Sequence, residues 1–380
     1  MPIFFTAYSK ARSPEDALVS VARKLREQGA LTQSSSSIAL VFCSEHHLQS
    51  PEALCEGLED VLAGIPFLGW TGPSAICGMD LDEGAPGLCV LVLQEVSGYL
   101  RTANATELGS EVAAALVADA PSGRIRLLSA PAQSFDPANF FPPVDEQQSP
   151  VAGALCGGVP GETSGTLMKG VEKNTFGMLS LDGISSFSAV AQGVRLLGPV
   201  REVTRGEGNR IDELDGKPAL QTLLSDLPSS LHADLQKTWP GIFAAMVSED
   251  EQVFAMRNLI GFDPNSGSLA VTAPIWPGTT LAFALRDGAS ARADLEETLL
   301  SLKESLGDKK ALAVLVFTCL ARNHTLFGVP HYDAERVADV FGDVPVVGIN
   351  AVGEIATIGS QTQLFGHAAV ITVLISEDIT

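Results

Sequence analysis

The sequence has few basic residues and no long apolar run. Its 380 residues hold 24 Lys and Arg against 45 Asp and Glu, a formal net charge of −21. A surface of that sign repels phosphate groups, which excludes nucleic acid and anionic membranes as partners. No apolar run reaches the roughly 18 residues of a membrane helix, and no basic residue precedes the apolar N-terminus PIFFTAYS, as a secretion signal would require. We therefore expect a cytoplasmic protein.

Paired cysteine motifs are also missing. No Cys-x-x-Cys occurs, and the six cysteines are spread along the chain, several of them in apolar, strand-like runs. That distribution is typical of reduced, buried thiols in a cytosolic protein and not of a disulfide framework. Cys43 and Cys319 each end an apolar strand, where a structural thiol, a pocket-lining thiol and a nucleophile are the alternatives.

Known catalytic signatures are absent as well. There is no Gly-x-Ser-x-Gly, no His-Glu-x-x-His, no P-loop and no dinucleotide fingerprint. We therefore expect no enzymatic activity, no catalytic residue and no metal site. His324 and His331, seven residues apart across a Gly-Pro loop, could converge on a ligand or lie at the surface. The adjacent His46 and His47 would point to opposite faces of a strand and could not easily share one metal ion.

What the sequence does contain is an internal repeat. The apolar run SIALVFCS is followed by a helix pattern, the word PFLGWTG and the apolar run LCVLVLQEV. The same order returns as VLVFTC, DAERVADVF, PVVGINAVGE and AAVITVLIS, and a weaker third copy runs from RIRLLSAP through PVAGALC to NTFGMLSLDG. Such units place two strands in parallel and let the next strand return antiparallel. We predict a mixed α/β (α+β) fold of mixed β-sheets covered by helices. It is built from two pseudo-repeated strand-helix-strand halves, with α-β-β-α layering as one arrangement.

The strand-helix-strand copies are expected to form one composite unit. Between the repeats, residues 186–227 predict strands with hairpins and then a helix, and residues 242–288 predict a β-meander. The Pro-rich segment 131–150 predicts a long loop that could cover a site.

Polar side chains at the ends of apolar strands are the candidate site residues. Arg257 lies within an otherwise apolar strand, where a buried charge requires a partner. That partner could be Glu354 or an anionic ligand; alternatively, Arg257 faces solvent. Glycine allows close backbone approach, and paired opposite charges would suit a zwitterion such as an amino acid. The predicted ligand-binding set is Arg205, Arg257, Asn258, Cys319, Arg322, Asn350, Gly353 and Glu354.

Four stretches of the sequence resemble the FIST domain family. VTRGEGNRIDELDGKPAL, MRNLIGFDPNSGSL, VLVFTCLARN and PVVGINAVGEI follow the order of its C-terminal part, and ALVFCS with PFLGWTG resembles its N-terminal part more loosely. Where the N-terminal part of the family often has a Cys and a Gly-Glu, this chain reads GWTGPSAI. The resemblance assigns residues 1–200 to the N-terminal-like part and 201–380 to the C-terminal-like part.

The resemblance implies a sensory module that binds small ligands such as amino acids. We therefore expect a stand-alone intracellular small-ligand-binding sensory protein that signals through a separate partner protein. Relatives that bind haem imply a nitric oxide sensor as an alternative, although no axial histidine is assigned and no cofactor is predicted. Relatives joined to an F-box imply a protein-interaction adaptor as another.

Overall fold

The structure, a computed structural model, describes residues 2–32, 36–104, 125–132, 135, 149–157, 166–169, 175–232, 239–247, 253–272, 274–359 and 361–376. The chain forms two compact units. The first unit comprises residues 1–192 and 295–380, and the second comprises residues 193–294. This division by compactness is distinct from the predicted family parts 1–200 and 201–380, which stay a prediction. Most of the predicted cover at 131–150 lies outside the described residues.

The first unit contains three copies of one strand pattern, with strands numbered along the whole chain. The first copy has β1 (Ile3–Ser9), β2 (Ser37–Ser44), β3 (Phe67–Gly72), β4 (Ala75–Cys77) and β5 (Leu88–Gln94). The second has β6 (Ser97–Asn104), β7 (Ile125–Pro131), β8 (Val151–Cys156) and β9 (Thr175–Asp182). The third has β10 (Ile184–Ala191), β18 (Ala311–Cys319), β19 (Val346–Ala351), β20 (Gly353–Ile358), β21 (Gln361–Phe365) and β22 (Ala369–Ser376).

Each copy orders its strands in the same way. The three orders are β1-β5-β2-β3, β6-β9-β7-β8 and β10-β22-β18-β19. The last two strands of each order are parallel and the other neighbours are antiparallel. The predicted mixed sheets are therefore confirmed. The copy that was weak in the sequence is present in full strand order, so the two predicted halves become three copies.

Each unit also contains helices. They are α1 (Pro14–Glu27), α2 (Pro51–Leu62), α3 (Ala219–Asp226), α4 (Ser229–His232), α5 (Gly288–Leu306), α6 (His324–Phe327) and α7 (Tyr332–Phe341). α1 and α2 begin with a serine cap followed by proline, as their sequences predict: Ser13 accepts the Asp16 N–H at 3.1 Å, and Ser50 the Ala53 N–H at 3.4 Å. Among the described residues, no helix has the length and apolar character needed to cross a bilayer.

Each copy extends a short segment that pairs with a strand of another copy, so that the three copies are joined in a ring. β4 of the first copy pairs with β19 of the third, β20 of the third pairs with β8 of the second, and the second copy bridges β3 of the first. In each of the three contacts, one residue of the extended segment lies opposite the glycine of the neighbouring copy's Pro-x-x-Gly word. The three pairs are Ile76–Gly348, Ile355–Gly153 and Leu167–Gly69. This exchange ties the three sheets together and gathers the carboxyl ends of the three parallel pairs.

The repeated Pro-x-x-Gly word has a packing cause. Its proline precedes the strand, where the missing N–H is not needed, and its carbonyl accepts an N–H from the facing strand. The three bonds are Ala39 to Pro66 at 2.9 Å, Arg126 to Pro150 at 2.9 Å and Val314 to Pro345 at 2.8 Å. The glycine of the word lies three residues after the proline, and a Cβ added there would crowd a backbone carbonyl oxygen of the facing strand. That oxygen belongs to Val41 at Gly69, to Leu128 at Gly153 and to Val316 at Gly348. Each copy therefore keeps glycine at this position.

Aromatic side chains fill the core between the three sheets. Trp70 is fully buried, with its ring centroid 5.3 Å from those of both Phe42 and Phe317. Its Nε1 donates a hydrogen bond of 2.8 Å to the carbonyl oxygen of Leu128 in the second copy. All three copies thus contribute to the packing around one side chain.

The second unit is an antiparallel sheet with its own core. Its strands are β11 (Val194–Glu207), β12 (Arg210–Leu214), β13 (Lys217–Pro218), β14 (Ile242–Val247), β15 (Val253–Asp263), β16 (Ser268–Val271) and β17 (Thr280–Arg286). They are ordered β11-β17-β14-β15-β16-β12-β13, and an additional β11–β12 pairing closes the sheet on itself. α3 contributes Ala219 and Leu223 to the apolar cluster of this unit. The strands predicted for residues 186–227 and 242–288, and the helix predicted at the end of the first range, are thereby confirmed.

Candidate functional site

The carboxyl ends of the three parallel pairs meet in the first unit. Thr71 at the end of β3 donates its hydroxyl to the Gly157 carbonyl at 3.0 Å and accepts the Gly157 N–H at its own carbonyl at 3.2 Å. The N–H of Asn350, near the end of β19, donates to the Ser74 carbonyl at 2.9 Å. Thr71 and Asn350 hold equivalent positions in their copies, two residues after the packing glycine. Ligands of α/β sheets bind beyond the carboxyl ends of strands, so this convergence is the candidate site.

Glu354 is the charged side chain at this convergence. It is 0% exposed and lies on β20 opposite Ala154 of β8. Its Oε2 accepts the Ala368 N–H at 3.2 Å. The equivalent positions in the other exchanged segments hold Ala75 and Thr166, as the strand registers show. The three-copy pattern is therefore broken here by a carboxylate, a group that is costly to bury.

Cys319 is connected to Glu354 through one residue. The Cys319 N–H donates to the Ala368 carbonyl at 2.8 Å, and Ala368 in turn donates to Glu354. Cys319 is a free, buried thiol at the end of β18. The next residue, Leu320, donates its N–H to the Ala351 carbonyl at 2.8 Å. We call Thr71, Gly157, Cys319, Asn350 and Glu354 the strand-end site.

Two exposed apolar side chains lie beside the buried polar groups. Leu320 is 43% exposed and Val352 is 44% exposed. The Val352 N–H donates to the Leu155 carbonyl at 3.3 Å, and its side chain lies against the position that a Cβ on Gly157 would take. Apolar side chains around a few polar groups are the usual lining of a small-molecule site. Leu320 and Val352 therefore mark the solvent side of the strand-end site.

Arg322 is bound by a carboxylate of its own copy. Its Nε and Nη2 donate to the two oxygens of Asp333 on α7, each at 2.8 Å, and both side chains are almost fully buried. The Thr318 hydroxyl donates to the same carboxylate at 2.6 Å. The guanidinium carbon of Arg322 also lies over the ring of Phe327, 5.2 Å from its centroid. The ion pair of Arg322 and Asp333 thus joins the end of β18 to α7, and we call these two residues the bracket.

The other three predicted residues belong to the second unit. Arg205 is exposed and forms ion pairs with Glu213 at 3.0 Å and Asp212 at 3.8 Å. It lines a surface cleft of about 820 Å³. Arg257 is half-buried on β15, where burial lowers its pKa, and its Nη1 donates to the Met256 carbonyl at 3.2 Å. The predicted pairing of Arg257 with Glu354 stays a prediction.

Asn258 also lies on β15 of the second unit, opposite Phe243. Its N–H donates to the Thr272 hydroxyl at 3.2 Å, and its carbonyl accepts the Thr272 N–H at 3.1 Å. The structure thus groups five of the eight predicted residues in the first unit: Cys319, Arg322, Asn350, Gly353 and Glu354.

His324 and His331 do converge, but on a glutamate that the sequence did not single out. Glu83 Oε1 accepts the His324 N–H at 2.9 Å and lies 2.8 Å from its Nδ1, and Oε2 accepts the His331 N–H at 3.1 Å. The Glu83 N–H donates to His331 Nε2 at 2.7 Å. The partners are about 240 residues apart, so spacing could not reveal the contact. We call Glu83, His324 and His331 the latch.

Three of the six histidines, His47, His324 and His331, bear on the predicted haem alternative. His47 is fully buried, and among the described residues neither of its ring nitrogens has a hydrogen-bond partner. However, a haem needs an axial nitrogen facing an apolar slot. The nearby cleft of about 1020 Å³ between α1 and α2 has charged walls, including Arg12, Glu15, Arg26 and Asp60, and His47 does not line it. His324 and His331 are engaged by Glu83.

Comparison with known families identifies the class of protein. The FIST N domain matches residues 37–217, and the FIST C domain matches residues 219–357. The chain therefore belongs to the FIST domain family, as the resemblance predicted. FIST domains are linked to sensory and signal-transduction roles.

Curated proteins similar to this chain carry names that describe no activity. An uncharacterized protein of Mycobacterium bovis, Mb0898c, is 25% identical over 376 residues, which cover 95% of this chain and 96% of that protein. An uncharacterized protein of Mycobacterium tuberculosis, MT0656, is 30% identical over 197 residues, covering 50% of this chain and 51% of that protein.

Solved structures similar to the whole chain correct one expectation. A cyanuric acid hydrolase from A. caulinodans covers 100% of both chains, with a TM-score of 0.37 and 9% identity. A second cyanuric acid hydrolase covers 99% of this chain and 100% of its own, with a TM-score of 0.38 and 10% identity. Both are enzymes, so the prediction of no enzymatic activity is wrong on this finding. The likeness carries no reaction over to the residues of this chain.

Proposed function

We propose that this chain is a sensory protein that binds a small ligand at the strand-end site, in contact with Asn350 and Glu354. The observation that supports the proposal most is the burial of Glu354 at a position where the other copies have Ala75 and Thr166. Burying a carboxylate costs several kcal/mol unless hydrogen bonds offset it. The first copy packs with alanine at this position, so packing does not require the carboxylate of Glu354. Its presence therefore favours a binding role.

The chemistry of the site indicates what the ligand presents. We propose that Glu354 is ionised in the complex; an ionised carboxylate only accepts hydrogen bonds, so the ligand group that meets it is a donor. The positive charge of Arg322 is neutralised by Asp333. We propose a ligand with an amino group, such as an amino acid or a similar metabolite, whose apolar part lies against Leu320 and Val352.

The proposal includes a transmission step. α7 is joined to the end of β18 by Arg322 and Asp333, so a ligand that shifts Cys319 also shifts this helix. We propose that a separate signalling partner protein reads that change. The six cysteines are free and buried, which favours a reducing compartment such as the cytosol.

A thermal-shift screen against amino acids and small amines tests the function. At a ligand concentration 100 times the Kd, binding adds about 2.7 kcal/mol to the free energy of unfolding. We expect a rise in Tm for at least one compound in the wild type and none for the same compound in Glu354→Gln. Glu56→Gln, which changes an exposed residue of α2, is the matched control and keeps the rise.

Each compound that shifts Tm is also followed by mass spectrometry during incubation, so that a compound consumed by the protein is recorded as a substrate. A screen in which no compound raises Tm contradicts the proposal. So does a rise that Glu354→Gln retains in full.

A further inference from the structure

The latch lies next to the strand-end site and is connected to it by two short paths. On one side, Gly84 follows Glu83 and donates its N–H to the Ser74 hydroxyl at 2.6 Å, while the Ser74 carbonyl accepts the Asn350 N–H at 2.9 Å. On the other side, the chain runs only four residues from Leu320, which is bonded to Ala351, to His324. A change in the latch therefore reaches both walls of the site.

The latch holds two segments of different copies together. Glu83 belongs to the connection between β4 and β5 of the first copy, and His324 and His331 belong to the segment that follows β18 in the third copy. Four hydrogen bonds join them, and each involves Glu83. The association of the two segments therefore depends on Glu83 and the two histidines.

Protonation acts on one bond of the latch in particular. His331 Nε2 accepts the Glu83 N–H, which requires that nitrogen to carry no proton. A protonated His331 ring donates from both nitrogens and cannot accept, so this bond breaks. The bonds between His324 and Glu83 survive protonation, because a charged His324 still donates from Nδ1 to the carboxylate.

We propose that the latch is an acid-opened gate: it holds the strand-end site closed at neutral pH and releases residues 78–87 and 323–332 when His331 is protonated. The regulatory link to ligand binding rests on the proposed function. The opening itself does not, because it follows from the hydrogen bonds of the latch.

The charges around His331 set the direction of the effect. Burial lowers the pKa of His331 and outweighs the opposing pull of Glu83 and Asp82, while Lys10 lowers it further. Asp82 is itself paired with Lys10 at 3.2 Å, and on α7 Asp333 is paired with Arg322. Burial also raises the pKa of Glu83, but the hydrogen bonds from His324 and His331 outweigh it, so the pKa is lowered and the carboxylate stays ionised.

The closed latch therefore binds fewer protons than the open one in the acid range. Its stability is complete above the ordinary histidine pKa of about 6.5 and is lost as the pH falls below that value. With a single titrating group, the ratio of open to closed latch rises by at most about tenfold per pH unit.

Hydrogen–deuterium exchange of the full, unliganded chain at pH 7.5 and pH 5.5 tests the gate, with rates corrected for the intrinsic effect of pH. In the wild type, we expect protection of 78–87 and 323–332 to fall several-fold at pH 5.5, while α1 stays unchanged. His331→Asn removes the titrating ring, and asparagine tolerates the left-handed backbone at this position, where φ is 56°. We expect its protection to be the same at both pH values.

Glu83→Gln leaves His331 in place and serves as a second variant. It weakens the latch at both pH values, because an amide nitrogen cannot accept the His331 N–H. Equal wild-type protection at the two pH values overturns the gate, and so does an equal fall in His331→Asn.

A compound from the thermal-shift screen then tests the regulatory link through its Kd at both pH values. We expect the Kd to be lower at pH 5.5 than at pH 7.5 in the wild type and to stay constant in His331→Asn. An unchanged wild-type Kd despite opening overturns the link. Exchange needs no ligand, so failure of the gate is distinguishable from failure of the proposed function.

Discussion

Single residues explain both the repetition in this sequence and its break. The glycine of each Pro-x-x-Gly word is kept because the facing strand leaves no room for a Cβ. The repetition of the word in the sequence indicates a packing solution, and the facing carbonyl oxygens supply its physical cause. Glu354 differs in kind, since its equivalents Ala75 and Thr166 show that the fold does not need a carboxylate there. Equivalent positions thus separate what packing requires from what function adds.

Gly348→Ala tests the packing role of the repeated glycine. A Cβ at this position overlaps the carbonyl oxygen of Val316, and backbone cannot move aside as a side chain can. We expect a loss of about 2–3 kcal/mol in the free energy of unfolding, measured by urea denaturation. Gly366→Ala, where nothing lies within 4 Å of the added Cβ, is the control and stays near the wild type. A Gly348→Ala variant as stable as Gly366→Ala would contradict the packing account.

At the scale of elements, local patterns were predictable and long-range pairings were not. The Ser-Pro starts of α1 and α2, and the parallel pair with an antiparallel return in each copy, follow from local sequence. The exchange of β4 and β20 between copies, and the meeting of Glu83 with His331, join residues far apart in the chain. Neither leaves a periodic signal. Of the predicted site, the cluster of Cys319, Asn350 and Glu354 was predictable because each follows or borders a strand end.

The bracket between β18 and α7 gives a prediction at this scale. Arg322→Ala leaves the buried Asp333 carboxylate without its guanidinium, and removing one partner of a buried pair costs about 3–5 kcal/mol. We expect a corresponding drop in the urea midpoint. Arg336→Ala, which removes a more exposed pair with Glu296, is the control and costs about 1 kcal/mol or less.

A double variant separates charge from packing at the same bracket. Replacing both Arg322 and Asp333 by apolar residues of similar volume removes the stranded charge, so it restores part of the lost stability. A double variant that is less stable than Arg322→Ala would contradict this explanation. It would show that the two side chains stabilise the fold mainly through their packing and not through their charges.

At the scale of the whole molecule, the chain is a three-copy unit with a second unit inserted between β10 and the later strands of the third copy. The two ends of the inserted segment lie close together, since the Gly193 N–H donates to Asp294 Oδ2 at 2.8 Å. The sequence pattern predicted neither the ring of contacts between the copies nor the insertion, because both depend on which distant segments of the chain pack together. The family matches at residues 37–217 and 219–357 include most strands of the three-copy unit and nearly all of the insertion.

The closeness of these ends predicts that the inserted unit can be removed. A chain in which residues 193–294 are replaced by a short Gly-Ser linker should fold, since the first unit has its own core. We expect cooperative thermal unfolding and the wild-type near-ultraviolet signal of buried Trp70. Loss of cooperativity in this chain, with the isolated 193–294 unit also unfolded, would show that the units depend on each other for folding.

The most direct test of the central claim is a crystal structure of the protein with the amino compound that gives the largest thermal shift. We expect density for the compound at the strand-end site, with its donor group within hydrogen-bond distance of a Glu354 oxygen and its apolar part against Leu320 and Val352. Density for the compound in another cleft, with Glu354 still buried and bonded to Ala368 as in the unliganded chain, would contradict it.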